Sequence, residues 1–471
     1  MSSTNIIKSI TDQSPLLPTK EPTTPETQNP PPKRNFLKRT FSKLTPGSLR
    51  GSVFNLSILS LGIGCLALPQ KVGQMSLVVS PFVIIIAGLA NAWTLLLLSK
   101  MASQYEVKNY SGLVKKLCGT RLSNFLDVII IVNVFGILIL YQVIIYKLIG
   151  GLINDLGGYG YENINDFLLN SFWNERFYKF IVNYGVSIIV LFPLCILRDV
   201  SKMRFASLFG IISLLSLILI VVIESPWYIQ DYFENIYNKD DPDTYLNIKD
   251  IIKTGFTSDM YFFKSCATLF YAYTCHIGAF PVLSALTNNT RKRVDKVFKR
   301  SIALDCVCYI IIGIAGYLTQ PIDTPDLIIE RTNIFSSNWV MIIGRIAVIL
   351  TLFTKIAVNY NALRVSAITL IGKDTKEMGK FLNFIITFTT LILTTLVCAL
   401  YQSITDYITL LGSFCSVLIA FFFPCLVYVK GNEYPLTSWK NIVSIILAGI
   451  LILIGFVSGY FTISSIINKS K

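Results

Sequence analysis

Apolar runs of about 20 residues recur from Gly51 almost to the C-terminus, each long enough to cross the ~30 Å hydrocarbon of a bilayer as a helix. A soluble core has no use for so many. Within lipid every backbone polar group needs an internal partner, which leaves the helix as the workable state; barrel strands would alternate in polarity, and these runs do not. Only 14% of the 471 residues are charged and 53% are hydrophobic, against roughly 25% charged in ordinary soluble domains. The expected fold is therefore an all-alpha polytopic membrane protein. About eleven spans parse most simply, near 52–74, 77–99, 123–149, 179–197, 205–223, 260–286, 301–319, 337–363, 381–400, 406–429 and 441–463.

Residues 1–50 form a separate regime, a disordered cytosolic tail ahead of a transmembrane domain over 51–471. Seven prolines between Pro15 and Pro32, mixed with Ser, Thr and charges, cannot bury enough apolar surface to offset backbone ordering. The tail has no early apolar core, so no signal peptide is expected ahead of the first span. It carries Asp12-Gln-Ser-Pro-Leu16-Leu17, similar to the acidic dileucine motif read by endosomal and lysosomal sorting adaptors. The net charge of +14 is read by position around the spans. Lys33, Arg34, Lys38, Arg39 and Lys43 adjoin the first span as a membrane-proximal anchor, not a nucleic-acid arm.

Lys and Arg also orient the chain. Lys108, Lys115, Lys116 and Arg121, then Arg198, Lys202 and Arg204, then Arg291 to Arg300, then Arg364 to Lys380 fall on one side with the tail. The opposite loops are poorer in positive charge and rich in Asp and Glu. The N-terminus is expected in the cytosol and the C-terminus outside or in a lumen.

Two spans look built to break. In the first, Gly62-Ile63-Gly64 sits near mid-span with Pro69 five residues later. Glycine allows non-helical dihedrals, and proline removes a backbone donor. A break facing a cavity would present amides and carbonyls to a small polar solute; the alternative is that the glycines admit a neighbouring helix. Asn55 adds an amide expected to be buried. The sixth span carries Phe270-Tyr271-Ala-Tyr273-Thr274-Cys275-His276-Ile-Gly278-Ala-Phe-Pro281. Tyr271 and Tyr273 do not share a face in regular helix, so at most one should face a cavity. His276 is either a neutral buried group satisfied locally or a proton relay.

In order along the chain, Ser52-Val-Phe-Asn55-Leu-Ser57, Gly62-x-Gly64, Cys275-His276 with Pro281, Arg291-Lys-Arg293 and Gly316-Tyr317-Leu318-Thr319 resemble the sodium-coupled neutral amino acid transporters, within the wider amino acid and auxin permease family. The resemblance runs from about residue 50 to the end. It implies an inverted-repeat fold like that of bacterial leucine transporters, with helices one and six broken at the substrate. It places Gly62, Ile63 and Gly64 around a substrate carboxylate. Phe270, Tyr271, Tyr273, Thr274 and Cys275 would line the facing break. A cation site would draw on Asn55, Ile58 and either Thr351 or Thr354.

The chain departs from the sodium-dependent pattern at Lys355, directly after Thr354. Nine residues before Arg364, it lies about 13 Å along the helix from the cytosolic end. Its ammonium either snorkels to water or turns toward Asn55 and takes the place of sodium. The expected function is secondary transport of small neutral amino acids, sodium-independent and either proton-coupled or facilitative. The alternatives are a sensor with little flux and a sodium symporter. No cofactor and no metal beyond a coupling sodium is implied; the coupling ion is H+ or, alternatively, Na+. No enzymatic motif such as HExxH or GxSxG is present. The partners are the amino acid, the bilayer and cytosolic sorting adaptors. An endosomal or lysosomal-type membrane is favoured over the plasma membrane.

Overall fold

The structure is a computed structural model, and it describes residues 47–157, 183–197, 204–237, 252–255, 259–287, 289–331, 339–372 and 379–469. The sorting motif Asp12, Leu16 and Leu17 and nearly all of the tail lie outside the described residues. Among the described residues the chain is helical throughout, with no sheet.

The first apolar run is three pieces, α1 (Leu49–Ser60), α2 (Ile63–Leu66) and α3 (Leu68–Met75). Then follow α4 (Val79–Gln104), α5 (Tyr110–Cys118), α6 (Thr120–Gly157), α7 (Asn183–Ile196) and α8 (Arg204–Tyr237). The second broken run is α9 (Met260–Tyr273) and α10 (His276–Ala285), followed by α11 (Arg291–Thr319), α12 (Trp339–Leu370), α13 (Lys380–Leu400), α14 (Ile404–Gly431) and α15 (Trp439–Lys469). Nine described segments are long and apolar enough to cross a membrane, counting α9 and α10 together; α7 is a shorter apolar helix.

The helices sort into inner and outer. Buried residues make up 72% of the most apolar stretch in α6, α9–α10 and α14, but only 33% in α8, α13 and α15. Phe381, Leu400, Ile446 and Leu453 are exposed on the outer helices. Such a belt of large apolar side chains is stable only against lipid, so the protein is an integral, multi-pass membrane protein.

Prolines mark where the helices depart from regularity. Pro69 falls in the first turn of α3, where its missing amide costs nothing. In α7 and α14, π-helical turns at Ser187–Leu191 and Leu418–Phe422 immediately precede the turns holding Pro193 and Pro424. The wider turn relieves the clash of the proline ring with the carbonyl behind it. A second π-helical turn in α14, Leu411–Ser416, brings Gly412 so close to α9 that a Cβ there would lie 1.9 Å from the Ala267 carbonyl oxygen. No other residue fits.

Candidate functional site

The α1 helix stops where the sequence predicts a break. Leu61 (φ −65°, ψ 79°) and Gly62 (φ −118°, ψ −150°) are non-helical, and the chain re-enters helix at Ile63. The reason differs from the expected one. Neither Gly62 nor Gly64 has positive φ, so neither is required for left-handed backbone. Gly64 is a close approach instead: a Cβ on it would lie 2.8 Å from Ala272 Cβ and 2.9 Å from Ala272 Cα. Pro69 is not at the break but opens α3. Likewise α9 breaks at Thr274 and Cys275, while Pro281 lies inside α10. The two breaks therefore meet, Gly64 on Ala272.

Tyr309 of α11 ties them. Its hydroxyl lies 2.8 Å from the Ser60 carbonyl oxygen and 2.7 Å from that of Ala272. These are carbonyls near the C-terminal ends of α1 and α9, which the breaks deprive of helical partners. One turn before Tyr309, the buried Asp305 accepts a hydrogen bond from the Ser60 hydroxyl. Sequence reasoning missed both residues. Asp305 had a signal, since a lone carboxylate inside a span is by default functional.

Lys355 does not snorkel. Its Nζ donates to the Leu61 carbonyl oxygen at 3.0 Å, so the ammonium caps the C-terminal end of α1, where the helix dipole is negative. The expected partner was Asn55, and this is corrected. Asn55 is exposed, because it shares a face with exposed Leu59 four residues on, whereas Ser52, Val53, Leu56, Ser57 and Ser60 point inward. Ile58 is buried. Thr351 and Thr354 donate their hydroxyls to Ala347 and Thr351 carbonyls of their own helix, both at 2.8 Å.

A cavity of about 10 Å³ lies between Gly62, Ile63 and Leu66 on one side and Val348, Thr351, Leu352 and Lys355 on the other, with Leu214 of α8. It joins the predicted substrate residues to the predicted cation residues. That volume suits about one water. Any solute larger than water therefore enters only when the helices separate. The Tyr141 hydroxyl of α6 lies 4.0 Å from where a Gly62 Cβ would be, beside Asn359 and within electrostatic reach of Tyr271.

The facing break is divided. Tyr271 is on the Tyr141 side, while the Tyr273 hydroxyl donates to the Ile84 carbonyl at 3.1 Å and its ring packs edge-on to Tyr309 at 4.9 Å. Phe270 turns away from the cavity altogether, into a separate cluster against Phe421 at 5.2 Å. Thr274 donates back to the Phe270 carbonyl at 2.6 Å, and Cys275 is buried. His276 Nε2 lies 3.1 Å from Thr94 Oγ1. Because that hydroxyl is also 3.0 Å from the Asn91 carbonyl, the imidazole is placed to donate to it, a local tie between α4 and α10.

A polar layer closes the α3 side. Lys71 donates to Gln70 and Gln74 at 2.8 and 3.2 Å, and Gln70 and Thr405 donate to Asp326 at 2.7 and 2.8 Å. Beyond Asp326, Ile328 and Ile329 are buried and Glu330 is half-buried. Lys147 lies 3.3 Å from Glu330, and buried Arg331 pairs with Glu224 and stacks on Tyr228 at 3.7 Å. Burial pushes the Glu330 carboxyl up from its ordinary range, with the Lys147 ammonium opposing.

Two broken helices meet in this multi-pass membrane protein, with backbone ends and a fixed charge around one small cavity, an arrangement of the kind transporters use for polar solutes. The model of the family described as transmembrane amino acid transporter protein matches residues 45–468, and the chain belongs to that family, one of transporters and not of enzymes. Among its relatives, Amino acid transporter AVT6E of Arabidopsis thaliana is 24% identical over 429 residues, 88% of this chain and 83% of that one. Vacuolar amino acid transporter 6 of Saccharomyces cerevisiae is 23% identical, over 68% of this chain and 65% of that one. Sodium-coupled neutral amino acid symporter 2 of Danio rerio is 21% identical, over 83% of this chain and 78% of that one. The chain spans about half the length of the Plasmodium relatives it matches, 49% and 52%.

Proposed function

We propose that the protein is a secondary transporter of small neutral amino acids that works without sodium, coupled to protons or facilitative. The observation that carries this reading is the 3.0 Å contact of Lys355 Nζ with the Leu61 carbonyl. A fixed ammonium capping the broken end of α1 takes up the carbonyl that a mobile cation would use, and a second cation nearby meets like charge. In this reading the substrate carboxylate lies against the amides of Gly62, Ile63 and Gly64, and Tyr141 and Tyr271 face it.

The wider frame of the proposal is about eleven crossings in a leucine-transporter-like inverted repeat, with the segment 49–75 and α7 among them. The tail over 1–50 is cytosolic and the C-terminus lumenal or extracellular. An acidic, endosomal or lysosomal-type compartment fits the Asp12, Leu16 and Leu17 motif, and the vacuolar name of the yeast relative supports it.

Counterflow in sodium-free proteoliposomes tests the reading. Labelled alanine, glutamine and leucine are offered against unlabelled amino acid inside, with amino acid methyl esters as competitors. Saturable exchange of at least one, and competition at least tenfold weaker by its ester, is expected. Saturable binding with no exchange in any ionic condition would instead make the protein a sensor.

A further inference from the structure

We propose that Asp305 is a proton-binding site, separate from Lys355, that loads and releases the coupling proton of transport. The inference rests on the transporter reading and replaces its two coupling options with one. Asp305 lies wholly inside the protein in α11, and none of the ion pairs among the described residues involves it. One carboxylate oxygen accepts from the Ser60 hydroxyl; the other is buried with no hydrogen-bond partner. An ionised carboxylate so enclosed, without a cation beside it, is costly.

The surroundings are built to take a proton. The Ser60 hydroxyl lies 3.2 Å from the Ser57 carbonyl and 3.4 Å from the Leu56 carbonyl, as well as beside Asp305. With Asp305 ionised, Ser60 donates to it. With Asp305 protonated, the carboxyl donates to Ser60 Oγ, and Ser60 turns its own proton to Ser57 or Leu56. Both states are satisfied by rotating one hydroxyl. The proton comes from the aqueous side to which the site is open, converts carboxylate to carboxyl, and leaves to water when the site opens on the other side.

A metal ion fits less well. Tyr309 already engages the Ser60 and Ala272 carbonyls, Ser57 donates to the Ser301 carbonyl at 3.3 Å, and Ser301 donates to the Val53 carbonyl at 3.0 Å. A metal would have to displace several of these. The titratable groups facing Asp305 are Cys65 of α2, Tyr273 of α9, Cys275 of the break, and Cys306, Cys308 and Tyr309 of α11. On α12 the ammonium of Lys355 is engaged with Leu61. Ser60 joins the site to the transport cycle: it is the last residue of α1, so any movement that opens the break shifts the partner of Asp305.

The test uses the full chain in proteoliposomes, with labelled alanine, glutamine and leucine, an imposed pH gradient and a trapped pH dye. Wild type should accumulate substrate with the inward proton gradient and acidify the lumen as it does so. Asp305→Asn, nearly isosteric with the protonated form, should lose gradient-driven accumulation and dye response at least tenfold, while counterflow falls far less. Infrared spectra of the purified protein supply a readout that needs no substrate: wild type should show a protonated-carboxyl band missing from Asp305→Asn. Should that variant not fold, Asp305→Glu should shift the band. Proton-driven accumulation by Asp305→Asn equal to wild type, wild-type uptake indifferent to the gradient, or a carboxyl region unchanged by either variant would each overturn the assignment. Absence of exchange in wild type would sink the transport reading alone, leaving the infrared result to decide whether Asp305 holds a proton.

Discussion

Gly64 and Ala272 hold the two broken helices in backbone contact: any Cβ on Gly64 would come within 2.8 Å of Ala272 Cβ and 2.9 Å of its Cα. Gly62, two residues away, has no comparable neighbour; its nearest is Lys355 Nζ at 3.6 Å. The two glycines should therefore respond differently. Gly64→Ala forces the breaks apart, at an overpacking cost of about 1–3 kcal/mol, and should reduce uptake at least tenfold. A Cβ on Gly62 meets no such clash, so Gly62→Ala should leave thermal stability near wild type. Thermal-unfolding measurements on both variants check this, and equal losses of stability at the two positions would contradict the packing account.

Tyr309→Phe removes a hydroxyl shared by two carbonyls; Ser60 keeps the Gly62 amide at 2.7 Å, so Ala272 is the carbonyl left short of a partner. Leaving one buried acceptor unsatisfied costs about 1–3 kcal/mol. The variant should remain folded in the membrane, melt at lower temperature and lose most of its transport, because the positions of both breaks depend on that one atom. Unchanged melting and flux would show that the Ala272 carbonyl finds another donor.

The positions of the spans follow from apolar length, which lipid enforces, and Gly62-x-Gly64 marked where the first break falls, though Gly64 serves a close approach to Ala272 and not a left-handed backbone. The side chains' directions were harder. Asn55 was expected inside, yet with Leu59 it forms the outward pair of a helix whose inward face is Ser52, Leu56 and Ser60; the spacing contained that information. Phe270 was drawn to the site by its neighbours in sequence, but a helix turns 100° per residue, and it packs on Phe421. Tyr309 could not be found, since its partners lie 37 and 249 positions away. Asp305 follows the basic run ending at Arg300, which disguised it as part of a polar helix end.

The half-buried Glu330 should make the packing of its turn pH-dependent. Burial raises this carboxyl above its ordinary range, with Lys147 opposing. A raised group stabilises the packed state below its unfolded pKa, and that contribution is lost as pH rises through the folded value. Thermal stability of wild type relative to Glu330→Gln should thus fall as pH increases from the ordinary glutamate range. A difference that stays flat, or grows, across that window would remove the turn as a pH-sensitive element.

The Asp12, Leu16 and Leu17 motif bears on where the transporter works. Tagged protein with both leucines replaced by alanine should move from internal membranes to the cell surface. An unaltered distribution in microscopy would separate the compartment from this motif.

In the proposed mechanism Lys355 stands where a coupling sodium would otherwise bind. Initial uptake rates of the exchanged amino acid, measured in matched proteoliposomes in sodium chloride and in the chloride of an impermeant organic cation, test it most directly. The rates should agree within about twofold, because the ammonium held at 3.0 Å from the Leu61 carbonyl already supplies the positive charge. A saturable sodium requirement in wild type, with uptake near zero in the organic cation, would contradict it.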